Sequence, residues 1–181
     1  MSKRIFIDTN VMLDFLGERK PFYESIAKIA TLGEKGKLTL VVSPISFATV
    51  NYFLSKFENP KTAREKLRKF KIISEICSLD EHTIEKGLNS SFKDFEDALQ
   101  YFSATISDCE LIITRNGKDF KKSLLPVMTP DEFLNSLVKK GDAIEYAIVS
   151  EGKKKERIFA KTFWICAGNI HTNHILRANN L

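Results

Sequence analysis

The segment Ile5-Phe6-Ile7-Asp8-Thr9-Asn10 constrains this chain more than any other. Three consecutive apolar residues, two of them β-branched, predict a buried strand close to the N-terminus. The strand stops at Asp8, and the helix-like run Val11-Met12-Leu13-Asp14-Phe15-Leu16 follows at once. In an open α/β sheet, ligands bind outside the carboxyl ends of the strands, which is where this order places Asp8. A carboxylate there is costly unless something positive meets it. Capping of the following helix is the competing role, since Asp is favoured at that position. The two are separated by whether other carboxylates reach the same edge.

The remaining chain alternates helix and strand signals. A helix is expected within Pro21 to Gly36, a strand at Leu38 to Val42, and a helix from Ile45 to Phe57. Asn59-Pro60 breaks the chain before a basic helix that runs to about Ser74. A short strand over Glu75 to Leu79 and a helix over Glu81 to Leu88 follow. Asp94 to Ile106 is expected to be a helix whose Phe95, Ala98, Leu99 and Phe102 form the apolar stripe. Leu111 to Thr114 and Leu125 to Met128 complete the strands, and Thr129-Pro130-Asp131 opens a last helix to about Val138. Such alternation implies a parallel sheet with right-handed crossovers. The expected domain is residues 1–138, followed by a C-terminal extension, 139–181, that leaves the βα rhythm. The extension holds Lys153-Lys154-Lys155 and the apolar groups Ile158-Phe159 and Phe163-Trp164-Ile165.

Composition excludes several classes. No apolar run is long enough for a membrane span. The three cysteines, Cys77, Cys109 and Cys166, are widely spaced and form no CxxC pair. They fit a reducing cytoplasm and no recognised zinc spacing. Residues 1–137 carry 20 Lys and Arg against 19 Asp and Glu, so most of the net +5 belongs to the extension. The basic segment of the main body is Lys61, Arg64, Lys66, Arg68, Lys69 and Lys71, opposed by a lone Glu65. It is either a solvated helix face or a phosphate-binding one. No hydrolase triad surrounds the serines, and neither GxGxxG nor a Walker lysine motif is present. His171 and His174 lack a further partner for a metal site.

Two further acids are expected beside Asp8. Asp97 lies in the first turn of its helix, in Asp94-Phe95-Glu96-Asp97, where three acids exceed what capping requires. Asp119 follows the strand Leu111 to Thr114, in Thr114-Arg115-Asn116-Gly117-Lys118-Asp119-Phe120, with Phe120 as loop anchor. If that strand neighbours the first, Asp8, Asp97 and Asp119 share an edge. Carboxylates without His or Cys suit Mg²⁺ or Mn²⁺ rather than zinc.

These segments, together with Ser43-Pro44-Ile45-Ser46, resemble the PIN-domain family in the broad group that includes VapC-type toxins, across about residues 4–137. The resemblance implies a three-layer α/β/α fold with a central parallel sheet of four to five strands. It implies a cytoplasmic, Mg²⁺- or Mn²⁺-dependent endoribonuclease, the toxin of a type II toxin–antitoxin pair, in a group that often dimerises. Its partners would be RNA and a cognate antitoxin, with no membrane. Asp8, Asp97 and Asp119 match the family's catalytic, metal-holding acids. Thr9, Thr49, Asn51, Glu96 and Asn116 are supporting polar groups, and Lys61, Arg64, Lys66, Arg68, Lys69 and Arg115 are candidates for nucleic-acid contact. One position departs from the family: Thr49, with Asn51 nearby, stands where an acid, typically Glu, is usual. That change favours weaker cation binding, and its alternative is a catalytically weak or inactive PIN-like module that binds nucleic acid or protein.

Overall fold

The computed structural model describes residues 2–138, 147–151, 154–158, 163–165 and 176–178, with side chains described only within residues 2–137. Its first unit is a five-stranded sheet in the order β3-β2-β1-β4-β5, parallel throughout. The strands are β1 (Lys3–Ile7), β2 (Leu38–Val42), β3 (Ser74–Ile76), β4 (Leu111–Ile113) and β5 (Val127–Met128). Among the described residues, six helices lie within this unit, α1 (Thr9–Leu16), α2 (Tyr23–Glu34), α3 (Pro44–Phe57), α4 (Pro60–Ile72), α5 (Glu81–Leu88) and α6 (Phe95–Ile106), and α7 (Pro130–Val138) runs past its end at Phe133. The expected α/β class and parallel sheet are observed.

β1 is central, and Ile5, Phe6 and Ile7 are fully buried. Side chains alternate across a strand, so burial of all three requires cover on both faces. One face pairs Phe6 with Val41 and Ile112 in register, under Tyr101 and Ala104 of α6 and Phe120. The other carries Ile5 beside Leu40 and Leu111, and α2 approaches it so closely that Gly33 sits directly over Leu40. Each such side chain contributes roughly 1.5–3 kcal/mol on burial. Three layers follow from this pattern. α2 gives way to β2 through Gly36, whose φ of +66° is open to glycine at no steric cost.

Helix starts follow their cap residues. Ser43 and Asn59 accept hydrogen bonds from Ile45 N and Thr62 N, each followed by a proline at the first helical position. Asp80 caps α5 in the same way, and Asp94 caps α6.

The apolar stripe expected for α6 is shifted. Ala98 and Leu99 are buried as expected, but Phe95 is 46% exposed, while Gln100, Tyr101, Ser103 and Ala104 are buried. Tyr101 and Ala104 face the sheet, and Leu99 with the edge of Phe95 meets α5 at Gly87. The helix is covered on two sides, by sheet and by α5, so a single stripe was too narrow a description.

The second compact unit comprises residues 134–181. β6 (Ala147–Glu151) pairs antiparallel with β7 (Lys154–Ile158), and β8 (Phe163–Ile165) pairs antiparallel with β9 (Leu176–Ala178). Lys153, Phe159, Cys166, His171 and His174 lie outside the described residues.

Candidate active site

The strands β2, β1 and β4 run parallel and end together, so their next residues, Ser43, Asp8 and Thr114, share one edge. Asp8 N donates to Ile113 O at 3.0 Å, which fixes the chain as it leaves the sheet. Asp8 is only 2% exposed. It occupies the N-cap position of α1, yet its side chain makes no capping hydrogen bond. Instead its Oδ2 accepts from Thr114 Oγ1 at 2.8 Å, and Thr114 Oγ1 in turn accepts from Asn116 N at 3.0 Å. Its Oδ1 is buried and has no hydrogen-bond partner. Burial pushes the pKa of Asp8 up, partly offset by Thr114, the Gln100 side chain and the nearby Asn10 backbone, and raised again by the charge of Glu96. Its Oδ2 is spent on Thr114 across the sheet edge rather than on capping α1.

α6 delivers its acids with a division of labour. Asp94 Oδ1 accepts from Glu96 N at 2.8 Å and Asp97 N at 3.3 Å, so capping is complete with one residue. Glu96 Oε1 instead accepts from Thr9 Oγ1 at 2.9 Å, and Thr9 Oγ1 also bonds Ser46 Oγ of α3 at 2.8 Å. Gln100 Oε1, one turn further along α6, accepts from Thr9 N at 3.1 Å. Asp97 is half-buried, and its pKa is pushed up to about 7 by burial first, then by the charges of Asp94, Asp119, Asp8 and Glu96. The β4–β5 connection supplies Asp119, whose carboxylate accepts from the Asn116 side chain, while Asp119 N donates to Asn116 O at 3.0 Å. Phe120, buried beneath the sheet edge, anchors that loop as expected.

Asp8, Asp97 and Asp119 therefore share one electrostatic neighbourhood, with Glu96 and Asn116 beside them. Among the described residues, no three His, Cys, Asp or Glu side chains stand close enough to grip one ion as they are placed. The donor set still fits a hard divalent cation: it is all oxygen, it holds an orphaned buried carboxylate oxygen, and its charges repel.

Other candidates are placed elsewhere. Thr49 and Asn51 are half-buried on α3, and Asn51 Oδ1 is buried without a hydrogen-bond partner. Ser46, 0% exposed, is the α3 residue that reaches Thr9. Lys61, Arg64, Arg68 and Lys69 are exposed on α4. Lys66 is engaged by Glu58 at 2.7 Å and Leu16 O at 2.9 Å. Arg115 Nε lies 2.7 Å from Oδ2 of Asp14, and its guanidinium sits over the Phe22 ring at 4.2 Å. Asp14 is 1% exposed, and burial raises its pKa against the opposing effect of Arg115 and Arg19. Thr114, Gln100, Ser46 and Asp14 were not among the site residues expected from sequence. Thr114 carried a signal, a hydroxyl in the first position beyond a buried strand; Gln100 and Asp14 carried one as polar residues within apolar helical stretches.

The PIN-domain sequence profile matches residues 4–118. Ribonuclease VapC1 of Aquifex aeolicus (strain VF5) is 31% identical over 137 residues, covering 73% of this chain and 94% of that protein. Among solved structures, a DNA-bound VapBC from Salmonella typhimurium aligns with a TM-score of 0.57 at 16% identity, covering 72% of this chain and 99% of that one. A toxin–antitoxin complex from Klebsiella pneumoniae aligns with a TM-score of 0.54 at 22% identity, covering 70% and 97%. Mycobacterium tuberculosis VapC20, a Sarcin-Ricin loop cleaving toxin, aligns with a TM-score of 0.53 at 10% identity, covering 65% and 94%. Fold, profile and relative agree: the chain belongs to the PIN-domain family, in its VapC-type group.

Proposed function

We propose that this protein is a VapC-type toxin ribonuclease that hydrolyses RNA phosphodiesters with a divalent cation, Mg²⁺ or Mn²⁺. The observation that carries the proposal is Asp97, a half-buried carboxylate facing charges from α6, from the residue that follows β1 and from the loop after β4. The charges that act on Asp97 come from three elements and are all negative, so these acids need a cation to ionise together at neutral pH. Asp8, Asp97 and Asp119 would hold it. A divalent ion bound there supplies Lewis-acid polarisation of a phosphodiester and of an attacking water.

The chain's own residues set the stage for that chemistry. Thr114 fixes one oxygen of Asp8 and leaves the other available. Asn116 orients Asp119 through its side chain. Lys61, Arg64, Arg68 and Lys69 offer exposed charge for the RNA backbone, whereas Arg115 is committed to Asp14. The VapBC neighbours are toxin–antitoxin complexes, which supports an antitoxin as protein partner.

Purified protein is expected to cut RNA in Mn²⁺, and Asp8→Asn to lose that activity. Equal cleavage by both proteins refutes the role of Asp8. The lack of an acid on α3 favours a second reading, a binding module without catalysis; RNA binding without cleavage in Mn²⁺ by the unaltered protein would establish it.

A further inference from the structure

The first turn of α6 holds more negative charge than its capping uses, and the surplus is arranged. Asp94 caps the helix alone, so neither Glu96 nor Asp97 is needed there. Glu96 turns back across the site to α1, where Thr9 Oγ1 meets its Oε1 at 2.9 Å. The direction of this bond is fixed by chemistry. Thr9 Oγ1 gives its single hydroxyl proton to Glu96, so Ser46 must donate its own proton to Thr9. The 2.8 Å contact between Ser46 Oγ and Thr9 Oγ1 allows this. Two buried hydroxyls, on α3 and α1, are thereby aligned to hold a carboxylate from α6 beside Asp8.

Among the described residues Glu96 forms no salt bridge, and α3 carries no acid anywhere along its length. Asp8, buried to 2% exposure and with Oδ1 lacking a partner, lies within its field. We infer that Glu96, held by the Ser46–Thr9 hydroxyl relay, is the fourth acid of the cation site, so that α6 contributes two ligand charges and α3 contributes only the hydroxyl that positions one of them. The inference rests on the metal-dependent reading above and deepens it.

Mn²⁺ titration of the intact protein by calorimetry, with thermal melting in chelator and in Mn²⁺, tests the assignment. Glu96→Gln keeps an oxygen for Thr9 and removes only the charge, so it should fold and melt in chelator no lower than the unaltered protein. Its Mn²⁺ affinity should fall on the order of tenfold or more, and its stabilisation by Mn²⁺ should shrink accordingly. Thr9→Val, which frees Glu96 from its relay, should weaken Mn²⁺ binding by a smaller factor. Glu81→Gln on the exposed start of α5 should leave binding unchanged. Unchanged Mn²⁺ affinity in Glu96→Gln, alongside loss in Asp8→Asn, overturns the role of Glu96 while the cation site stands. No Mn²⁺ binding by the unaltered protein overturns both.

Discussion

Asp97 is where this site strains against its own fold, and replacing it should make the cation-free protein more stable. An Asp whose pKa is raised from 3.8 to about 7 holds its proton more tightly folded than unfolded. Below pH 3.8 both states are protonated and the group is neutral in the balance. As pH rises from there towards 7 the unfolded chain ionises first, and stability falls; above 7 both are ionised and the full penalty stays. At about 1.4 kcal/mol per pKa unit the shift would represent about 4 kcal/mol. The side chain is partly open to solvent, and screening reduces this to roughly 1–2 kcal/mol. Asp97→Asn should therefore raise the melting temperature in chelator at pH 8 by roughly 2–6 °C, and the gain should shrink at pH 5. Mn²⁺ should reverse the order, because a ligand stabilises the folded state only as far as it binds it. Melting curves at the two pH values, with chelator and with Mn²⁺, give all the comparisons. A variant less stable than the unaltered protein in chelator at pH 8, or a difference independent of pH, refutes the reasoning.

Three further perturbations follow from the geometry. Asp14→Ala removes the 1%-exposed partner of Arg115 and Arg19 and should cost about 2–3 kcal/mol in chemical denaturation, below the value for a fully buried pair because Arg115 is only partly covered. Gly33→Ala puts a Cβ 2.8 Å from Leu40 Cγ and Cδ1, and overpacking should outweigh the helix-propensity gain by about 1–2 kcal/mol in the same assay. Replacing Lys61, Arg64, Arg68 and Lys69 on α4 with Gln should leave the melting temperature within about 2 °C. It should weaken RNA binding at low salt and flatten its salt dependence by up to about 0.7 in logarithmic slope per lost contact.

The sheet was legible because its strands are buried on both faces. Ile5-Phe6-Ile7, Leu38 to Val42 and Leu111-Ile112-Ile113 are short unbroken apolar runs, a signature that does not depend on partners. Asp8 and Asp97 stood out as candidates because each sits at a strand or helix end, and Asp119 because it follows an Asn-Gly turn in the loop beyond β4. What the sequence could not show is pairing between distant side chains. Arg115 reads as a free cation in Thr114-Arg115-Asn116, yet Asp14, a century of residues earlier, claims it. Lys66 reads as part of a basic face, yet Glu58 and the carbonyl of Leu16 hold it. The α6 stripe was misplaced for the same reason, since Gly87 of α5 takes the edge of Phe95 and the sheet takes Tyr101.

Glu96 shows most clearly why a local rule was insufficient. Within Asp94-Phe95-Glu96-Asp97 any of the acids could compensate the helix dipole, and spacing alone assigns none of them. The structure separates them by hydrogen bonds: Asp94 to its own helix, Glu96 to Thr9, and Asp97 to no capping role at all. A helix needs only the first. Glu96 raises the cost of charge at both Asp97 and Asp8, which makes no sense as a device for stability. Buried hydroxyls on two other helix starts nevertheless hold Glu96 in that unfavourable place. Charge held against its own repulsion, on rigid elements and with an adjacent carboxylate oxygen left unpaired, is preorganisation for a cation. On that account the stability lost in the empty state and the affinity gained in the loaded one have the same origin, and single substitutions at Glu96 or Asp97 should move them in opposite directions.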